Sequence, residues 1–241
     1  MCPDANQRRF HTTRWSLVLS AGDRVSPEAE TALATLCELY WYPVYAFVRR
    51  TGHDSEEARD LTQAFFVRLL EKEFLKDARR ERGHFRSFLL ASVRHFLSNE
   101  RDWRTALKRG GNSVHLPLEF DAGERRYRLE PSDDLTPDRV YEHRWALGVL
   151  ETAQRRLATQ HESTARRELF IRLQPFLFGD AVSSSKELAA ELGMSDGALR
   201  VALHRLRRQY TAVLRSTIAE TVDRPEDVDD ELRHLLDVVS R

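Results

Sequence analysis

The sequence predicts an all-α protein: two small helical domains joined by an acidic linker. Three features carry that expectation. Apolar residues recur at three- and four-residue spacing along most of the chain, and no stretch alternates clearly enough to be a strand. Helix starts and stops are signalled repeatedly by Ser, Thr or Asp ahead of an acidic first turn and by Gly beyond the last turn. Basic and acidic blocks also alternate, although Lys+Arg and Asp+Glu are equal at 38 each. Residues 79–109 hold nine Lys and Arg against three acids, 119–138 seven acids against three arginines, and 219–241 eight acids against three arginines. Such blocks separate surfaces that meet a polyanion from surfaces that do not.

In chain order, residues 1–11 read as a loose end, and Thr12 or Thr13 caps a short helix using Trp15, Leu17, Val18 and Leu19. Ser26-Pro27-Glu28 opens the next helix, with Pro at the first helical position and an acid behind it. It buries Leu33, Leu36, Leu39 and Tyr40, is kinked or interrupted at Pro43, and continues to Gly52. Its aromatics Tyr40, Trp41, Tyr42, Tyr45 and Phe47 suit core packing or a ligand box, and the spacing favours the core. Asp54 or Ser55 caps a third helix with Ala58, Leu61, Phe65, Phe66, Leu69 and Leu70 inward; Asp60, Gln63 and Val67 share another face.

The helix from Phe85 to about Lys108 has two characters. Phe85, Phe88, Leu89, Ser92, Val93, Phe96 and Leu97 form a core face. Arg86, Arg94, His95, Asn99, Arg101, Trp103 and Arg104 form a basic face with a flat ring among the charges, the chemistry that grips single-stranded nucleic acid, or simply a solvated helix. Gly110-Gly111-Asn112 ends it, residues 110–135 read as linker with a short extended piece around Leu116, Leu118 and Phe120, and Thr136-Pro137-Asp138 starts a helix running to about Ala158. Another helix covers roughly 164–176.

The most informative stretch is 183–215. Ser184 and Glu187 make a capping box, Leu188, Ala189 and Leu192 an apolar stripe, Gly193 a stop that favours positive φ, and Ser195 a second N-cap. The helix that follows places Leu199, Leu203, Leu206, Tyr210, Val213 and Leu214 on one face. Gly197, Arg200, Val201, His204, Arg205 and Arg208 lie on the other. Residues 200–215 contain five arginines and no acid. This is the pattern of a helix-turn-helix whose second helix enters a DNA major groove, or of an ordinary helical hairpin with a basic face. An acidic loop over 223–230 and a short helix from Asp230 to Val239 close the chain.

Two of these blocks together resemble bacterial RNA polymerase sigma factors of the sigma-70 family, extracytoplasmic-function group. Residues 58–108 (ARDLTQAFFVRLL, then ERGHFRSFLLASVRHFLSNERDW) resemble sigma region 2, and 184–208 (SKELAAELGMSDGALRVALHRLRR) resemble region 4. With their flanking helices they cover about 180 of the 241 residues. The resemblance implies five parts: an extension over 1–25, a region-2 domain over 26–109, a linker over 110–135, a region-4 domain over 136–218 and an acidic extension over 219–241.

The resemblance also implies roles. The helix with Asp60, Gln63, Ala64 and Val67 would dock on the β′ clamp helices of core RNA polymerase; Ala64 stands where many members carry an acid. The segment R-G-x-F-R-x-F-L over 82–89 and the helix after it would contact the −10 element, through Arg86, Phe88, Arg94, His95, Asn99, Arg101 and Trp103. His95 stands where the family often has Asn. In region 4, Lys186, Ser195, Arg200, Val201, His204, Arg205 and Arg208 would contact the −35 element. An Arg fork there reads a guanine edge, whereas Arg207 and Arg208 suit phosphates. The implied partners are core polymerase, at its β′ clamp and β flap, and promoter DNA, with an anti-sigma factor or another regulator as a further class.

No catalysis is expected: the chain has no glycine-rich phosphate loop, nucleophile elbow, H-E-x-x-H or Cys/His cluster, and no cofactor is implied. Cys2 and Cys37 form no disulfide framework, and the start lacks a signal-peptide core. No run reaches the roughly 20 apolar residues of a membrane span. A cytoplasmic protein is the expectation. The alternative is a stand-alone helix-turn-helix regulator. The acidic end is expected either to fold back on a basic surface and damp DNA binding, or to be a plain packing helix.

Overall fold

The computed structural model describes residues 27–69, 84–99, 118–129, 135–162, 167–178 and 185–240. Among them are nine α-helices and no strand. They divide into two units, Met1–Gly148 with Ile218–Arg241, and Val149–Thr217. None of the described helices is long and apolar enough to cross a membrane.

The first unit is arranged around α1 (Pro27–Arg50), which has Pro at its first position as expected. Pro43 does not end it. Proline removes one intrahelical bond, but Tyr42, Val44, Tyr45, Ala46, Phe47 and Val48 around it are all buried, and that packing holds the helix together. The aromatic run is core: Tyr40 meets Phe85 edge-on at 4.9 Å, and Trp41 and Tyr45 meet Phe120 at 5.5 and 5.7 Å. Gly52 follows the helix with φ +103°. Asp54 Oδ1 then accepts the Glu57 N–H at 2.8 Å, capping α2 (Ser55–Leu69). Phe65 of α2 packs edge-on against Phe96 of α3 (Phe85–Ser98) at 5.6 Å.

Three features of the fold add to the sequence reading. Within the stretch read as linker, residues 120–129 form α4 (Phe120–Leu129), which packs on α1. Gly123 there is a point of close contact: a Cβ on it would stand 2.7 Å from Trp41 Cη2. Glu124 fixes the helix further, accepting from Tyr45 Oη at 2.6 Å and Arg49 Nε at 3.1 Å. Phe120, expected in a short extended piece, is the first residue of this helix, and Leu116 lies outside the described residues. Second, α5 (Pro137–His161) does not belong to one domain. Its first half, with Val140, Tyr141 and Trp145, is core of the first unit; Trp145 Nε1 donates to Tyr40 Oη at 2.9 Å. Third, the acidic end is an integral piece of the first unit. Phe85 N–H donates to the Thr221 carbonyl at 3.0 Å, His84 and Val222 form an isolated antiparallel bridge, and α9 (Val228–Val239) buries Val228, Glu231 and Leu235. The expected short N-terminal helix and the stretch 100–108 lie outside the described residues.

The second unit contains the rest of α5, α6 (Arg167–Leu173), α7 (Ser185–Glu191) and α8 (Asp196–Ala219) up to Thr217. Leu199, Leu203, Leu206, Tyr210 and Leu214 of α8 are buried with Leu157, Phe170, Leu173, Leu188 and Ala189. α6 is shorter than the sequence suggests and tightens into a 3-10 turn over Gln174–Phe176, with Pro175 inside it.

Candidate nucleic-acid interface

The turn between α7 and α8 is built by residues 192–195. The Met194 N–H donates to the Ala189 carbonyl at 2.8 Å and the Gly193 N–H to the Ala190 carbonyl at 3.1 Å, while Gly193 takes φ +62°. These paired bonds are a Schellman closure, which needs a residue tolerant of left-handed backbone at that point. Ser195 Oγ then accepts the Ala198 N–H at 3.2 Å and caps α8. Ala189, buried, supplies the small side chain at the turn. α7 and α8 are thus two helices joined by a short, capped turn, the second longer and basic.

On α8 the two faces separate as the spacing predicts. Arg200, Val201, His204, Arg205 and Arg208 are all exposed. At 100° per residue they fall within an arc of about 140° and cover about 12 Å of helix. The buried leucines and Tyr210 fill the opposite arc. Among the described residues no carboxylate pairs with Arg200, Arg205 or Arg208. Val201 stands half out of the surface beside them. Arg207 differs: its Nη2 donates to the Phe176 carbonyl at 3.1 Å, so it braces the unit instead of reaching for phosphate. The Ser195 hydroxyl oxygen accepts in the cap, which leaves its O–H free to donate, and the Lys186 side chain lies outside the described residues.

The second basic face, on α3, is not open in the same way. Arg86 Nε donates to Glu231 of α9 at 2.9 Å and Nη1 to Glu142 of α5 at 2.8 Å, and its guanidinium lies 5.1 Å from the Trp145 ring centroid. Burial opposes its charge, but the two carboxylates outweigh that and its pKa is raised. His84 Nδ1 lies 2.9 Å from the other Glu231 oxygen, at ion-pair distance without hydrogen-bond alignment. The carboxylate raises the His84 pKa against burial. For Glu231 burial alone would raise the pKa, but His84 and Arg86 overcome it and hold it low. Arg94 is exposed yet bidentate on Asp138 of α5, at 3.1 and 2.5 Å.

Phe88, expected to touch DNA, is buried in the core beside Phe85. His95 is exposed; its Nε2 lies 3.2 Å from the Asn99 side-chain amide at the end of α3. Arg101 and Trp103 lie outside the described residues. Phe88 is thus buried and Arg86 held by two carboxylates, while His95 and Arg94 lie on the outer side. Sequence reasoning missed the acids that hold Arg86 and Arg94: Asp138, Glu142 and Glu231 are 44, 56 and 145 residues away, and only the alternation of charge blocks hinted at them.

On α2, Asp60 is exposed while Gln63, Ala64 and Val67 are half-buried, so the four occupy an accessible strip beside the buried face of Leu61, Phe65 and Leu69.

A comparison of the chain with protein-family models, with curated proteins and with solved structures finds no match in any of the three.

Proposed function

We propose that this chain is a sigma factor of the sigma-70 family, extracytoplasmic-function group, which binds core RNA polymerase and directs it to promoters. The observation that carries the reading is the unpaired basic face of α8, set on a capped helix-turn-helix and free of acids. In this reading Arg200, His204 and Arg205 reach base edges of the −35 element in the major groove, and Val201 offers a methyl contact to thymine. Arg208, with Lys186 and the turn at Ser195, meets phosphates. Asp60, Gln63, Ala64 and Val67 form the strip for the β′ clamp. His95 and Arg94, with Arg101 and Trp103, face the −10 element, Arg94 after leaving Asp138. The chain brings no chemistry of its own.

A stand-alone helix-turn-helix regulator is the second reading. It is favoured by the pairing of Arg86 and Arg94 with acids, which leaves α8 as the open basic face among the described residues.

Run-off transcription separates the two. Purified chain is added to core RNA polymerase over a library of genomic promoter fragments from the source organism. Transcripts that start at defined sites only when the chain is present support the sigma reading. Absence of stimulation together with absence of core binding in a pull-down overturns it in favour of the regulator.

A further inference from the structure

The acids of the C-terminal segment are divided between surface and interior. Glu226, Asp229, Asp230 and Asp237 are exposed, whereas Glu231 is 1% exposed and directed at the cations that open α3. Its two oxygens meet Arg86 Nε and His84 Nδ1, each at 2.9 Å. An apolar side chain at 231 would fill the same space with no charge to desolvate, and a buried ion pair adds little net stability over such a replacement. What the carboxylate does add is one negative charge shared between an arginine and a histidine that the sequence pattern puts on its basic side.

A phosphodiester makes the same charge-assisted bonds to a guanidinium and an imidazolium as a carboxylate does, so one anion replaces the other at little electrostatic cost. Only Val228 and Leu235 of the α9 apolar side chains are fully buried; Leu232 and Val238 are half-buried, and Leu236 and Val239 are exposed at 54% and 39%. His234 adds a 2.8 Å contact to Glu142 and a ring contact with Trp145. Short elements with few fully buried apolar side chains open at the low end of a protein's range of local stabilities.

We propose that α9 is an intramolecular competitor of nucleic acid: Glu231 occupies the Arg86–His84 pair in place of a phosphate, and DNA reaches that pair only in molecules whose α9 has lifted. The proposal rests on the promoter-binding reading, and it adds a built-in reduction of apparent affinity in proportion to the lifted fraction. Glu142 keeps its hold on Arg86 when Glu231 leaves, so the arginine stays oriented.

The test uses the full chain as wild type, Glu231→Gln and Leu235→Ala. Binding of a labelled single-stranded DNA oligonucleotide is measured by anisotropy at one low salt concentration, and amide hydrogen exchange is followed over 228–239. The expected result is faster exchange of 228–239 in both variants, affinity raised roughly fivefold or more, and loss of protection of 228–239 when the wild type is saturated with DNA. Leu235→Ala loosens the same helix through packing, so the proposal stays testable if Glu231→Gln does not fold. Wild type that binds DNA while 228–239 stays protected at saturation overturns the competitor and leaves the promoter reading standing. Absence of DNA binding by all three proteins, with 228–239 exposed in the variants, overturns both.

Discussion

Gly123 and Trp41 meet so closely that a Cβ on the glycine would stand 2.7 Å from Cη2 of the indole and 3.0 Å from Cζ3. In an ordinary helix Gly→Ala stabilises by roughly 0.5–1 kcal/mol. Here the sign reverses, because the added methyl strikes a ring that Tyr42, Tyr45 and Phe120 already surround. Gly123→Ala is expected to destabilise the first unit by about 1–3 kcal/mol. Urea unfolding followed by tryptophan fluorescence checks it. All four tryptophans lie within Met1–Gly148, so the signal reports that unit and not Val149–Thr217.

Trp145 donates its indole N–H to Tyr40 Oη at 2.9 Å, and both side chains are fully buried. Burial first, and the neighbouring Glu231 carboxylate second, hold the Tyr40 hydroxyl un-ionised. Tyr40→Phe removes the acceptor and strands the indole N–H, at an expected cost of about 1–3 kcal/mol. The same fluorescence-detected unfolding measures it. A variant as stable as wild type would show that the bond contributes nothing.

The Arg86–Glu231–His84 cluster makes stability depend on pH in a defined direction. The His84 pKa lies above its ordinary 6.5, so its contribution is complete below that value and lost as pH rises through the raised one. The Glu231 pKa lies below its ordinary 4.5, so its contribution is present above that value and lost as pH falls through the depressed one. Stability of the first unit is expected to be greatest between the two and to decline on the alkaline side as His84 loses its proton. Unfolding midpoints across about pH 4–9 check this, and Glu231→Gln is expected to remove the alkaline decline.

Under the promoter reading, Arg200→Ala and Arg208→Ala separate two kinds of contact. Arg200→Ala is expected to weaken binding by about 1–3 kcal/mol and to relax preference at one base pair. Arg208→Ala is expected to weaken all sequences alike and to lower the salt slope by about one. Fluorescence anisotropy on duplexes with each position varied, at several salt concentrations, measures both. Identical effects of the two substitutions would count against a reading role for Arg200.

What was legible in the sequence is what depends on near neighbours. Gly193 and Ser195 announced their turn because closure and cap involve residues within five positions of one another. The two faces of α8 followed from the period of its leucines and arginines. Nothing in the sequence singles out Gly123, because its constraint comes from Trp41, far back in the chain, and a glycine looks alike in a loop and at a close approach. Pro43 signals a kink or an interruption in the sequence, and the helix runs on because the burial that holds α1 together around it is tertiary. Arg86 showed its charge but not its partners, and Phe88, whose burial its own periodicity announced, was placed on DNA by resemblance.

The first unit is written in the chain as two separated pieces, Met1–Gly148 and Ile218–Arg241, with the whole of the second unit between them. During synthesis at about 5–20 residues per second, that interval leaves Arg86 and His84 without Glu231 for at least several seconds. The continuous second unit has all its core residues before the first unit has its last helix. A nascent chain thus passes an interval, in the presence of the cell's nucleic acids, in which Glu142 alone is at hand for Arg86 and His84 lacks its carboxylate, until residues 228–239 arrive.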